Sequence, residues 1–228
     1  SPDNAFYKEL VKLSGSARQR GKAGQTLLDG AHLLDSYLAS GNIPLHLIVT
    51  ATAQLDPEIV SLLNKLPGVP LTRLDDALFA GLSELKTLSG VLALVAVPQA
   101  QISPQNSNFC LLLENIQDPG NLGSMLRSAA AAGCDAVYLS RGCADAWSPK
   151  VLRAVMGGHF VLNIQEQAYL LGVAASFPGK IYAASLSAKA SLYDSSLNGK
   201  VGFAIGNEGA GLSLPLLERT QPFIIPMS

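Results

Sequence analysis

The chain has 228 residues, enough for one large or two ordinary domains, and 48% of them are apolar, so real cores are available. The formal net charge is −1, which excludes the even basic footprint of a protein that wraps long nucleic acid. No apolar run approaches the ~18 to 20 residues of a membrane span, and the cysteines Cys110, Cys134 and Cys143 are an odd set without ligand spacing, which points to reduced thiols in a cytoplasmic protein and to no metal site.

The opening residues, Ser1-Pro2-Asp3-Asn4, are neither basic nor apolar and predict no signal peptide. The missing initiator Met suggests a trimmed start. Positive charge then crowds into Lys8, Lys12, Arg18, Arg20 and Lys22, either as a solvated or frayed segment or as an arm that touches phosphate. Leu27 to Leu38 reads as a helix, Leu45 to Thr50 as a strand, and Pro57 to Leu66 as a helix with proline in its first turn. Leu74 to Leu82 is predicted helical and Val91 to Val97 a buried strand. Pro98 to Asn108 is polar, proline-bearing and uncharged, which marks a linker.

Beyond it, strands are expected at Phe109–Leu113, Ala136–Leu139, Phe160–Ile164, Ile181–Ala184, Val201–Ile205 and Phe223–Ile225. Helices are expected at Leu122–Ala132, Pro149–Met156, Glu166–Phe177 and Pro215–Thr220. Strands this continuously apolar, alternating with helices, predict an α/β fold: a parallel sheet covered by helices on both faces.

Two turns in this half carry polar groups where a sheet end would present them. In the first, Asp118-Pro119-Gly120 precedes Asn121, a natural N-cap for the apolar face of Leu122, Met125, Leu126 and Ala129. Arg127 lies roughly 140° around that helix from Leu122, off the core face, and only about 9 Å of rise separates it from Asn121. The second turn is Gly206-Asn207-Glu208-Gly209-Ala210-Gly211-Leu212-Ser213. Its glycines allow close backbone approach, and its carboxylate is placed to accept hydrogen bonds. Open α/β sheets bind ligands at such strand ends. Neither loop fits a dinucleotide or P-loop fingerprint. His32 and His46 have no evident partners, and His159, after Gly157-Gly158, reads as structural. Ser124 and Ser128 lack a His/Asp set for triad chemistry.

Asn115 to Gly123 with Arg127, then Ile205 to Leu212, then Ile224-Ile225-Pro226-Met227, resemble the three ordered signatures of the SpoU (TrmH-type) RNA ribose 2′-O-methyltransferases, in the SPOUT superfamily. Ser148 to His159 is similar to the helix and glycine-rich turn between the first two. More loosely, Arg20 to Gly30 and Leu82 to Val97 resemble the ribosomal-protein-like RNA-binding domain that precedes the catalytic domain in many members.

The resemblance implies an N-terminal RNA substrate-binding domain over residues 1–100 and a methyltransferase domain over 106–228 with a trefoil knot. It implies S-adenosylmethionine as cofactor, a homodimer, and structured RNA as substrate, with ribosomal RNA favoured over transfer RNA. It also implies a Ser-Leu-Asn motif and a closing knot helix after Met227, which the sequence, ending at Ser228, does not contain.

The implied catalytic set is Asn121, Arg127 and Glu208. Because a free guanidinium keeps its proton to a pKa above ~12, Arg127 is expected to clamp a phosphate and stabilise a developing alkoxide. Asn121 would fix Arg127 or the ribose, and Glu208 would orient Arg127 or a substrate group. Ser185, Leu186, Gly206, Ile225 and Met227 are expected to meet the methyl donor through their backbones, and Arg18, Arg20 and Lys22 to meet RNA. Two further readings stand beside this one. One is an RNA-binding protein that keeps the fold without methylating; the other is a small-molecule nucleotide enzyme on an α/β sheet.

Overall fold

Asp56-Pro57, Asp118-Pro119 and Ser148-Pro149 each start a helix by the same chemistry. The side-chain oxygen accepts from backbone N–H groups two or three residues on (Glu58 at 2.9 Å, Asn121 at 2.8 Å, Val151 at 3.4 Å). The proline fills a first-turn position, where its missing N–H costs nothing. The computed structural model of the chain describes residues 2–185, 188, 190–194 and 197–224. It divides into one unit of Ser1–Pro98 with Trp147–Phe160 and another of Gln99–Ala146 with Val161–Ser228.

The first unit opens with helices α1 (Ala5–Gly15) and α2 (Ala17–Ala23), followed by β1 (Gln25–Asp29), α3 (Ala31–Ala39) and β2 (His46–Thr50). Then come α4 (Pro57–Asn64), β3 (Leu71–Leu74), α5 (Asp76–Ala80) and β4 (Val91–Ala96). Its sheet runs β1-β4-β2-β3, antiparallel at the first two pairings and parallel at the last. Three expectations need correcting here. The charged N-terminal stretch is not frayed: Asn4 caps α1 through Phe6 and Tyr7, and Ser16 caps α2 through Gln19. The helix expected from Leu27 begins only at Ala31, because Gln25–Asp29 is a strand that ends at Gly30, whose φ of +106° breaks any helix across it. The helix expected from Leu74 shrinks to Asp76–Ala80 behind the unforeseen β3.

The second unit starts at Gln99. The polar stretch expected as a linker is stitched down. Gln101 N–H donates to Asn163 Oδ1 (2.9 Å), Lys200 Nζ to Gln105 O (3.0 Å) and Tyr138 Oη to Ile102 O (3.3 Å). It leads into β5 (Phe109–Leu113), α6 (Pro119–Ala131) and β6 (Ala136–Leu139). The chain next contributes α7 (Pro149–Val155) to the first unit, where Thr26 Oγ1 donates to Trp147 O (2.8 Å) and Phe160 meets Tyr37 edge-on. It returns for β7 (Asn163–Gln165), α8 (Leu170–Ser176), β8 (Lys180–Ala184), β9 (Val201–Ile205), α9 (Leu214–Leu217) and β10 (Gln221–Phe223). The strand expected from Phe160 thus begins at Asn163, after a 3₁₀ turn over Gly158–Val161.

This second sheet runs β10-β8-β9-β5-β6-β7, parallel at every pairing and flanked by helices, as the continuous apolar strands predict. Cys110 and Cys134 lie in its core, where burial pushes the thiols up to about 12 and about 11.

Asp135 holds the entry to β5. Its carboxylate accepts from the hydroxyl of fully buried Ser107 and from the N–H groups of Asn108 (2.8 Å) and Phe109 (3.4 Å). Asp135→Ala leaves these donors without their acceptor and is expected to cost about 2 kcal/mol. A urea melt matching wild type would contradict that assignment.

Candidate active site

The site is built where β5 and β9 end side by side, Leu113 opposite Ile205. At the end of β5, Glu114 N–H donates to Ile205 O (2.9 Å). Asn115 then takes a left-handed conformation (φ +56°), which asparagine tolerates better than most residues, and turns the chain away from the sheet. Ser140, after β6, braces that turn: its Oγ accepts from Asn115 N–H (2.9 Å) and donates to Asn115 Oδ1 (3.3 Å). Gly142 lies against it: a Cβ there would sit 2.0 Å from Asn115 Oδ1 and push that carboxamide away from Ser140. Ile116 is buried, while Gln117 and Asp118 face solvent.

Asp118, and not Asn121, caps α6. Asn121 is inside the first turn, and its N–H is the donor that Asp118 receives. Both residue types cap well, and the proline at the first helical position decides between them. Leu122, Gly123, Leu126 and Ala129 form the buried face, Asn121 is half-buried and Arg127 is exposed, off the core face as the spacing requires.

At the end of β9, Gly206 admits no side chain: a Cβ would lie 2.2–2.3 Å from the backbone of Gly211 and Leu212. Asn207 folds the loop on itself, accepting at Oδ1 from the N–H groups of Gly209 (2.9 Å) and Ala210 (3.1 Å) and at its carbonyl from Gly211 N–H (2.7 Å). Its Nδ2 donates across to Asn115 O (2.9 Å). Farther along, Ser213 donates twice to the Glu114 carboxylate, from N–H to Oε2 (2.6 Å) and from Oγ to Oε1 (2.8 Å). The two loops enclose a cleft of about 220 Å³ lined by Ile116, Gln117, Asp118, Asn207, Glu208 and Gly209.

The structure therefore brings Glu208 and Gly206 to the same sheet end as the loop that launches the helix of Asn121 and Arg127. Among the described residues, Arg127 and Glu208 form no ion pair with each other. Ser185 follows β8 at the neighbouring strand end, where its N–H donates to Phe223 O (2.9 Å). Leu186, Ile225 and Met227 lie outside the described residues.

In the first unit, Arg18 and Lys22 are exposed and one helical turn apart on α2. Arg20 is corrected: it is 6% exposed and donates from Nη1 to the carbonyls of Leu13 (2.6 Å) and Ser14 (3.0 Å), closing the end of α1 in place of reaching a phosphate. His159 is buried against Trp147 in that unit. Glu114, Asn115, Ser140 and Ser213 were missed as site residues. Only the first-motif position of Asn115 and the place of Ser213 in the second turn hinted at them, since hydrogen bonds spanning up to 99 residues leave no local signal.

The sequence model of the SpoU rRNA Methylase family matches residues 108–228. The chain is 30% identical over 224 residues to the 23S rRNA (guanosine(2553)-2′-O)-methyltransferase RlmP of Bacillus subtilis, covering 97% of this chain and 86% of that one. It is 40% identical over 170 residues to the human mitochondrial rRNA methyltransferase 3, covering 72% of this chain but 40% of that protein. Among solved structures, an RNA 2′-O ribose methyltransferase superposes with a TM-score of 0.81 at 29% identity, covering 100% of this chain and 89% of the other. The SpoU methyltransferase AviRb of Streptomyces viridochromogenes, solved with AdoMet, shares the fold at a TM-score of 0.88 and 24% identity, over 99% of this chain and 89% of its own.

The loop-to-loop tie makes a direct prediction. Ser213→Ala and Glu114→Gln each remove part of it, and Gly206→Ala forces the loop open. Gly206→Ala is expected to be the most damaging, costing about 1–3 kcal/mol through backbone overlap. Thermal melts that rank it mildest of the three would refute the packing described.

Proposed function

The chain belongs to the SpoU rRNA methylase family, and we propose that its cleft methylates a ribose 2′-hydroxyl of structured RNA, with ribosomal RNA preferred over transfer RNA. It is an S-adenosylmethionine-dependent RNA ribose 2′-O-methyltransferase. The ribosomal preference is supported by the rRNA substrates named for its relatives. The observation that carries the catalytic assignment is the convergence of the two motif loops on one cleft.

The residues at this sheet end fit the cofactor. Ile205 stays 36% exposed at the tip of an otherwise well-covered strand, an apolar surface of the kind a purine packs on, and Gly206 beside it keeps the backbone accessible. S-adenosylmethionine supplies a methyl carbon activated by a sulfonium, so the acceptor oxygen must be held in line and relieved of its proton. Arg127, exposed on α6, is assigned to grip the phosphate next to the target ribose and to stabilise negative charge on the 2′-oxygen. Its part is assigned as electrostatic, that of a planar cation facing the developing charge. Asn121, less than two turns earlier, is assigned to orient the ribose or the guanidinium, and Glu208 at the cleft to accept from either. Positioning of this kind supplies much of the rate for an in-line transfer.

The trefoil knot, the pairing of two subunits, and the division into an RNA-binding domain over 1–100 and a methyltransferase domain over 106–228 belong to the same proposal, as does a cytoplasmic location. Arg18 and Lys22 remain its phosphate contacts on the first unit, while Ser185, Leu186, Gly206, Ile225 and Met227 remain its backbone contacts to the methyl donor. Among the described residues no helix is long and apolar enough to cross a membrane, and no group of side chains forms a metal site.

Arg127→Lys keeps a cation but loses the planar fork. It is expected to lower methyl transfer to large-subunit ribosomal RNA by about 100-fold while leaving S-adenosylmethionine affinity unchanged. Near wild-type turnover would overturn the role of Arg127. Equal or better transfer to transfer RNA would overturn the substrate preference.

A further inference from the structure

Helix α7 buries Val151, Leu152 and Val155 in the first unit and turns Lys150 and Arg153, three residues apart, to one other side. Arg153 is held in a half-satisfied way. Its Nη2 donates to Glu84 Oε2 at 2.7 Å, while Nη1 is buried without a hydrogen-bond partner among the described residues. The two side chains are 26% and 52% exposed. An ion pair this open to water contributes little to stability, whereas a buried cationic N–H with no acceptor is costly. Glu84 therefore occupies one arm of a fork and leaves the other unserved, although a carboxylate is able to serve both in parallel. The arrangement is poor as a brace and suited to exchange. With a net charge of −1, the chain must recruit RNA through such local cations.

We propose that Arg153 is an RNA phosphate contact and that Glu84 is its place-holder in the RNA-free protein. On docking, the exposed Glu84 carboxylate yields to a phosphate, which takes the Nη2 arm that Glu84 holds, and Lys150 extends the contact along the backbone. This inference rests on the RNA reading above.

The test is filter binding of deproteinised large-subunit ribosomal RNA, titrated from about 50 to about 300 mM salt, with S-adenosylmethionine binding and a thermal melt as checks of folding. Arg153→Gln is expected to weaken RNA about tenfold at ~100 mM salt and to reduce the slope of log affinity against log salt by about one. Arg153→Lys should restore the slope and part of the affinity. Glu84→Gln, which removes the competitor's charge, should tighten RNA binding by about threefold. If Arg153→Gln does not fold, Glu84→Gln decides alone. Wild-type affinity and slope in Arg153→Gln would overturn the proposal, as would a Glu84→Gln variant that fails to tighten. Absence of salt-dependent binding in the wild type would overturn the RNA reading, and this inference with it. Binding intact in the wild type but unmoved in both variants removes only the inference.

Discussion

One carboxylate organises the second unit. Glu114 ends the strand that supplies the first motif, and it accepts both the N–H and the hydroxyl of Ser213, at the far end of the second. Charge-assisted bonds of this kind are stronger than neutral ones, and the pair is reinforced by Asn207 reaching Asn115 O. A loop between β9 and α9 would otherwise be free to swing, since its own glycines place few limits on its dihedrals. With both ends tied, Glu208 has a fixed address relative to the start of α6. Precision at an active site follows from supports of this sort more than from the reacting side chains themselves.

The supports are layered. Parallel pairing of β5 with β9 sets the two strand ends level, and pairing of β5 with β6 brings Ser140 under Asn115. Gly206 is demanded by space, since a methyl group there would overlap backbone, and Gly142 leaves the Asn115 carboxamide room to meet Ser140. Asp118 then starts α6 at a defined angle, so that Arg127 leaves the helix on the solvent side while Leu122 and Leu126 stay in the core. Each layer is mundane alone. Together they convert distant segments of sequence into one cleft.

Legibility in the sequence followed the range of the interactions. The second sheet was readable because its strands are buried on both faces and so are written as unbroken apolar runs, such as Phe109–Leu113 and Val201–Ile205. Its motif loops were readable because glycine, proline and asparagine announce turns locally. The first unit was harder. Leu27 and Leu28 in β1 are both buried, a pattern that serves a helix equally well, and only Gly30 separates the strand from α3. Arg20 looked like its exposed neighbours Arg18 and Lys22, yet the end of α1 needed its guanidinium to satisfy free carbonyls. The Glu114–Ser213 tie was invisible for a similar reason: nothing near either residue records a partner so distant in the chain.

The passage of Trp147–Phe160 into the first unit has a consequence for how such proteins change over time. The two units are not successive in sequence: the backbone passes between them on either side of α7 as well as at Pro98–Gln99. A recombination event that swapped only the leading segment would strand α7 beside a stranger, its apolar side matched to a surface no longer there.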